Sequence, residues 1–499
     1  MFRWDNAFSS WSKFIFLSGL LFVCCGCLIL YRLFFHPLRN FPGEKLAAIS
    51  AWHWDLHGDD PDFLGRLHRI YGPVVRIAPN ELHFSQPMAY TNIYSIGSKF
   101  PKDARYYAAF PDGALFATAD RRQAKARRDI IRPMFSRQSV LKLESVVQEK
   151  VDILIAQMIS HGSHPVDLHY ALRSATLDII TSYCFAQSWS TLKYPLFQHP
   201  ILHAMTQQLT IIWVLHAFPI LRKIFPFLGP ILMLIDDSIK ATVDFRGRVA
   251  AQVDELLKDP EALKRAEHET VYHHLMTRRP GKDQHDIPPR NSLLSEGVSL
   301  IVAGSDAGGG TLTVGVFNVL RNKQVSSSLI KELDAAWPDQ NATMKFEDLE
   351  KLPYLTAVIK ESLRLFSGVV SPSPRIVGPS SARIAGVDVP AGTTVSITTP
   401  FLHHNPDIFH DPMEFIPERW LQSNSRELEN FLVPFARGPR SCLGIKLAWC
   451  EMYLILGNMF RKINMEIYDT SIEDFKHKMY FLPVFTGKHL RAKVRPRDS

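Results

Sequence analysis

Apolar and polar positions alternate along the chain with several different periods, and the first long stretch has no polar face at all. Phe14 to Tyr31 is interrupted only by Ser18, Gly19 and Gly26. About 18 residues of helix rise roughly 27 Å, close to the thickness of a bilayer core, so the run predicts a transmembrane helix. A cleaved signal peptide is the rival reading, but the run is long for one and no small-residue cleavage site follows it. Arg32, His36 and Arg39 come next, and despite Arg3 and Lys13 before the span they place the C-terminal body in the cytosol. In His36-Pro-Leu-Arg-Asn-Phe-Pro-Gly43, Pro37 and Pro42 stop the helix and stiffen the chain while Gly43 lets it turn, which predicts a hinge.

The patterns then alternate between short β-like runs and longer helical ones. Two runs parted by Pro79-Asn80 within Tyr71 to Phe84 predict a β-hairpin. Asp120 to Arg132 predicts a helix with Asp120 as its N-cap, a stop at Pro133 and a basic face of Arg121, Arg122, Lys125, Arg127, Arg128 and Arg132. Pro195 to Phe245 is rich in Leu, Ile, Phe and Trp, and Pro219, Pro226 and Pro230 are expected to break it into short pieces. The prolines around Arg278-Arg279 mark a surface loop. Asn291 to Asn322 predicts one long buried helix, and its Gly308-Gly309-Gly310 costs about 1 kcal/mol per glycine relative to alanine. Close approach of a flat ligand, or a local opening of the helix, would explain that cost. Leu352 to Leu365 opens with proline and carries Glu361 and Arg364 on one helical face.

Composition changes this picture little. The chain has 499 residues, 46% hydrophobic and 21% charged, with 33 prolines that imply many long connections. Three of the six cysteines (Cys24, Cys25, Cys27) lie in the apolar run, which argues against a disulfide framework and for a reducing compartment. The net charge of +8 suits an anionic membrane surface or an acidic partner, and no nucleic-acid motif is present.

The candidate chemistry centres on Phe435-Ala-Arg-Gly-Pro-Arg-Ser-Cys-Leu-Gly444. A thiolate is a soft, strongly donating ligand, and Cys442 is the candidate iron ligand. Gly438 and Gly444 allow a tight turn against a flat macrocycle, Phe435 shields the sulfur and Arg440 can pair with a carboxylate. This spacing resembles the cysteine loop of the cytochrome P450 family, and each fixed position of that motif is filled. Further resemblances run along the chain. Ala303-Gly-Ser-Asp306 matches the family's oxygen-binding helix. Glu361-x-x-Arg364 with Phe415-Ile-Pro-Glu-Arg-Trp420 matches its Glu-x-x-Arg helix and Pro-x-Arg segment, in which Glu361, Arg364 and Arg419 form a buried scaffold.

The resemblance implies a mainly α fold with smaller β-sheets (α+β), the cytochrome P450 fold, preceded by one N-terminal transmembrane helix. It divides the chain into an anchor region at 1–35 (span about 14–31), a Pro-rich hinge at 36–45 and a haem-thiolate catalytic domain at 46–499. It implies haem b (iron protoporphyrin IX) with Cys442 as the axial ligand to iron, and haem-carboxylate contacts from Arg128, Arg375 and Arg440. At the basic helix the family's aromatic or imidazole partner of Arg128 is replaced by Ala124, so anchoring there is expected to be weaker or shared differently. The helix after Gly444, with Leu447, Ala448 and Glu451, is expected under the haem, and Cys450 in packing. The family's acid and alcohol order the waters that deliver protons to dioxygen. Asp306 supplies the acid, but Ala307 stands in the alcohol position. Thr311, four residues on and on the same face, is the sensible substitute; a substrate hydroxyl or a water near Gly308 are the others, whereas Ser305 points elsewhere.

The implied activity is a membrane-bound monooxygenase of fungal secondary-metabolism type, oxidising a lipophilic small molecule such as a terpenoid or polyketide with dioxygen. Its electrons come from an NADPH-cytochrome P450 reductase, with cytochrome b5 as a second donor, at the basic face around Arg121. The implied location is the endoplasmic reticulum membrane, single-pass, with membrane lipid against the 195–245 region and the Asn341 sequon unused. Ala307 keeps a haem-thiolate isomerase or dehydratase open, and a non-catalytic haem carrier or sensor is the reading from another class.

Overall fold

The computed structural model describes residues 5–224, 237–277 and 287–497. Pro226, Pro230, the Arg278-Arg279 pair and Pro280 lie outside them.

Helix α1 (Asp5–Leu30) continues through a wide helical turn at Tyr31–Phe35. Lys13–Phe35 is 23 residues long with a mean hydropathy of 2.5 and none of its apolar window is buried, so it is long and apolar enough to cross a membrane. The helix ends where expected, because His36 precedes Pro37 and takes an extended conformation. The hinge does not hang free. Arg76 donates to the Arg32 carbonyl at 3.2 Å and its amide donates to the Pro42 carbonyl at 2.7 Å. A side chain at Gly43 would meet the Arg76 carbonyl at 2.4 Å.

Arg76 belongs to a hairpin, β1 (Val74–Ala78) and β2 (Glu81–Phe84), turning at Pro79-Asn80. Two later strands, β3 (Arg375–Ile376) and β4 (Thr394–Ser396), complete a sheet of order β1-β2-β4-β3, with β2 and β4 parallel. The basic helix is α2 (Arg121–Ile131), and Asp120 caps it by accepting from the Gln123 amide at 2.7 Å. Ala124 and Ile131 are its buried residues, so its cationic face is largely solvated.

Helix α3 (Leu168–Phe185) is buried along its whole length. In the 195–245 stretch the chain breaks at Pro219 as expected, and Pro226 and Pro230 lie outside the described residues. Helix α4 (Pro200–Ala217) runs 18 residues, because Pro200 sits in its first turn and Pro219 falls after its end. Helix α5 begins at Asp237 and ends at Lys258.

The central helix α6 (Arg290–Arg321) is unbroken through its three glycines, so the expected local opening is absent. A β-carbon on Gly309 would lie 2.7 Å from Arg173 Cγ, and one on Gly310 would lie 2.6 Å from the Phe366 ring. These glycines let α3 and the chain after the Glu-x-x-Arg helix pack against α6, which offsets their helix cost. Gly308 differs: a β-carbon there would meet only ordinary contacts, to Thr176 at 3.4 Å and Glu451 at 3.6 Å.

Helix α7 (Pro353–Leu365) and helix α8 (Ile445–Lys462) join α3 and α6 in the main core, with Cys450 fully buried among them. A last hairpin, β5 (His477–Tyr480) with β6 (Leu482–Phe485), closes over the N-terminal part of α3.

Candidate active site

The loop before α8 is held by its own backbone. The Cys442 amide donates to the Phe435 carbonyl at 2.8 Å, closing the turn. Gly438 has φ +74°, and a β-carbon there would lie 2.4 Å from the Tyr94 carbonyl, so both conformation and space demand glycine. Gly444 has an ordinary φ of −83° and is the residue from which α8 starts. Its amide donates to the Cys442 sulfur. Burial raises the thiol pKa, while the Gly444 amide and the Arg128 charge act in the opposite direction. Cys442 is nevertheless exposed.

The loop rests on the expected scaffold. Arg364 grips Glu361 with two hydrogen bonds, Nε at 2.9 Å and Nη2 at 2.8 Å. Arg419 Nε (3.1 Å), Trp420 Nε1 (2.9 Å) and the Ile416 amide (3.0 Å) also donate to the same carboxylate. Glu361 and Arg364 side chains are both 0% exposed. Each lone pair is satisfied, the condition under which a buried charge network holds.

On α6 the middle of an otherwise buried helix is uncovered: Ala303 is exposed and Gly304, Ala307 and Gly308 are half-buried. Ser305 is buried and directed at the Arg173 carbonyl, away from that surface. Thr311 is buried, its Oγ 2.8 Å from the Ala307 carbonyl and 3.2 Å from that of Phe366. Asp306 is not free. Arg173 of α3 donates to its Oδ1 through Nε at 3.1 Å and also through Nη2, with only 5% and 8% of the two side chains exposed. The other oxygen, Oδ2, is buried and has no hydrogen-bond partner among the described residues. This pair borders a side chamber of about 100 Å³ lined also by His169, Tyr170, His203, His489 and Phe366. Arg173 is a residue that the sequence reading missed; a lone arginine in an apolar helix gives no hint of a partner 133 positions on.

The loop at 110–118 is pinned to the start of α6. The Leu115 amide donates to Glu296 Oε2 at 3.0 Å, and Ser292 Oγ donates to the Gly113 carbonyl at 2.8 Å. Arg127 lies 3.6 Å from Glu296 and donates to Ser292. Burial pushes the Glu296 carboxyl up to about 7, against the opposing pull of Arg127 and the Leu115 amide.

Three predicted cations and an unpredicted one gather beside the thiol loop. Arg128 donates to the Ser441 carbonyl at 2.8 Å, next to Cys442. Arg375 is buried and donates to Tyr107 Oη at 3.2 Å and the Ser373 carbonyl at 3.1 Å. Arg440 donates to the Ala119 and Asp120 carbonyls at 3.2 and 3.3 Å. Lys102 is buried and sits opposite Arg375 in an isolated β-bridge. Burial, with Arg375 next in effect, holds Arg440 down to about 10 and Lys102 well below the usual lysine range. Among the described residues none of the four takes part in an ion pair.

These observations fit an iron macrocycle. An uncovered helix surface of small residues accepts a flat group, an exposed thiol accepts a metal, and four cations without carboxylate partners, Lys102 and Arg375 of them buried, suit an anionic group. The profile of the cytochrome P450 family matches residues 53–491. The chain is 33% identical to cytochrome P450 monooxygenase macH of Penicillium terrestre, over 98% of both chains. It is 31% identical to cytochrome P450 monooxygenase flvC of Aspergillus flavus, over 96% of this chain and 95% of that one. To cytochrome P450 monooxygenase sdnE of Sordaria araneosa it is 32% identical, over 94% and 95%.

The fold and site therefore define a haem-iron monooxygenase. The chain belongs to the cytochrome P450 family and is related to these fungal enzymes.

Proposed function

We propose that this is a membrane-anchored haem b monooxygenase of fungal secondary metabolism that oxidises a lipophilic small molecule, a terpenoid or a polyketide. Residues 1–35 anchor it in the endoplasmic reticulum membrane, 36–45 connect, and 46–499 form the cytosolic catalytic domain. The observation that carries this reading is the Cys442 thiol, exposed at the end of a loop that the Phe435 carbonyl and the Gly444 amide hold in shape. The bound haem supplies oxidising power from dioxygen and two electrons, delivered by an NADPH-cytochrome P450 reductase, with cytochrome b5 as a second donor.

The chain's own residues divide the remaining work. Cys442 holds the iron; Arg128, Arg375 and Arg440 neutralise the haem carboxylates; Phe435, Gly438 and Gly444 shape the loop. Asp306, which lines the side chamber, keeps one carboxylate oxygen, Oδ2, without a hydrogen-bond partner among the described residues, and Arg173 fixes its orientation. Thr311 presents a hydroxyl 2.8 Å from the Ala307 carbonyl, one turn from the missing alcohol. Membrane attachment is supported by exposed Trp52, Leu56, Phe218 and Ile220, apolar side chains on the surface of the body. The Trp52 indole donates to the Ala217 carbonyl at 3.1 Å, joining the two segments.

Co-expression with a reductase in a lipid-containing system, with mass spectrometry of products from a terpenoid and polyketide panel, tests the reading. NADPH- and dioxygen-dependent addition of oxygen is the expected result. Ala307 and the tying of Asp306 to Arg173 favour a second reading, an isomerase or dehydratase independent of dioxygen. Turnover that persists without dioxygen and reductase would establish it.

A further inference from the structure

Lys102 is a buried ammonium without a counter-charge. Its Nζ donates to the Phe116 carbonyl at 2.5 Å and lies 3.9 and 4.1 Å from the ring centroids of Tyr107 and Phe116. An ammonium has three protons to give, and one carbonyl and two ring faces leave its charge only partly compensated. Burying a charge in that condition is costly, and among the described residues no carboxylate lies within ion-pair distance of it.

Its neighbours share the same deficit. Lys102, Arg375 and Arg440 line one small cavity of about 30 Å³ with Tyr94, Ser95 and Arg437. Lys102 is opposite Arg375 in the β-bridge, and Arg440 is close enough for both arginines to depress the lysine's proton affinity. Neighbouring like charges disfavour one another's charged forms, and an anion placed among them would relieve this. Across the loop, buried Ala124 offers no hydrogen bond where an aromatic or imidazole donor would have helped Arg128.

We propose that Lys102 binds a haem carboxylate together with Arg375 and Arg440, supplying the donor that Ala124 does not. This rests on the haem-thiolate reading. Apolar rings on one side and a carbonyl on another hold the ammonium in place, so it is positioned before the cofactor arrives. A role limited to pinning the 110–118 loop through the Phe116 carbonyl would leave the haem carboxylates unaffected.

The test uses the full-length holoprotein as wild type, Lys102→Met and Lys102→Arg. Haem transfer to excess apomyoglobin gives the rate of cofactor loss, and resonance Raman bands of the haem propionates report their hydrogen bonds. Lys102→Met is expected to lose haem about ten- to hundredfold faster, the scale of one hydrogen bond to a charged group, with a shifted propionate band. The red-shifted Soret band of the reduced carbonyl complex should persist, because Cys442 is untouched. An unshifted propionate band and an unchanged loss rate would overturn the proposal while leaving the haem reading intact. Should Lys102→Met not accumulate, Lys102→Arg decides alone: a shifted propionate band supports the proposal and an unshifted one overturns it. A wild-type protein that takes up no haem would overturn both readings.

Discussion

Replacing Arg173 with methionine removes the charge facing Asp306 while keeping most of the side-chain volume. Both partners are more than nine-tenths buried, so the variant strands a carboxylate away from water. Breaking a buried pair from one side costs about 3–5 kcal/mol, mostly the desolvation of the charge left behind. Arg173 also donates to Thr206 Oγ1 at 3.0 Å and the Leu202 carbonyl at 3.2 Å, and these bonds are lost as well. At about 0.5–1.5 kcal/mol each, they account for roughly 1–3 kcal/mol that no change at Asp306 can restore. The double variant Arg173→Met/Asp306→Asn removes both charges and should recover most of the roughly 3–5 kcal/mol, leaving about the cost of those two bonds. Denaturant unfolding of the holoproteins, followed by the haem Soret band, measures the four corners of this cycle. A double variant no more stable than Arg173→Met would refute the idea that Arg173 compensates the burial of the Asp306 side chain.

The other tests concern packing and protonation. Gly309→Ala places a methyl group 2.7 Å from Arg173 Cγ and 3.0 Å from its Cα, so it should destabilise by about 1–3 kcal/mol although alanine favours helices, as denaturant midpoints would show. Gly308→Ala meets nothing closer than 3.4 Å and should be neutral or mildly stabilising in the same assay. The Glu296 carboxyl titrates near 7 in the folded chain, above its ordinary value of 4.5, so the folded state binds its proton more tightly. That contribution is complete below about 4.5 and is lost as pH rises through 7, on the order of 3 kcal/mol. Glu296→Gln should therefore flatten the stability profile between pH 5 and 8 relative to wild type, on a scale set by that difference.

Much of the site was legible because its chemistry sits in contiguous, spaced motifs. The turn at Gly438, the cap at Asp120 and the Glu361–Arg364–Arg419 network each depend on residues whose types announce their geometry. What was not legible depends on distant partners. Lys102 follows a proline in a loop and has no periodicity that would mark it as buried; the return of β3 beside it and the Tyr107 and Phe116 rings enclose it. The pairing of Arg173 with Asp306 requires α3 to lie along α6, which sequence spacing does not encode. The glycines of α6 were legible as an anomaly, but their cause was not. Gly309 and Gly310 accommodate Arg173 and Phe366 at contact distance, without opening the helix.

The central claim is that Cys442 holds a haem iron. Its most direct test is the absorption spectrum of the dithionite-reduced carbonyl complex of the full-length protein, beside Cys442→His. Thiolate ligation predicts the red-shifted Soret band in the wild type and its loss in the variant. A wild-type spectrum of the histidine-ligated kind, or a red-shifted band that survives in Cys442→His, would contradict it.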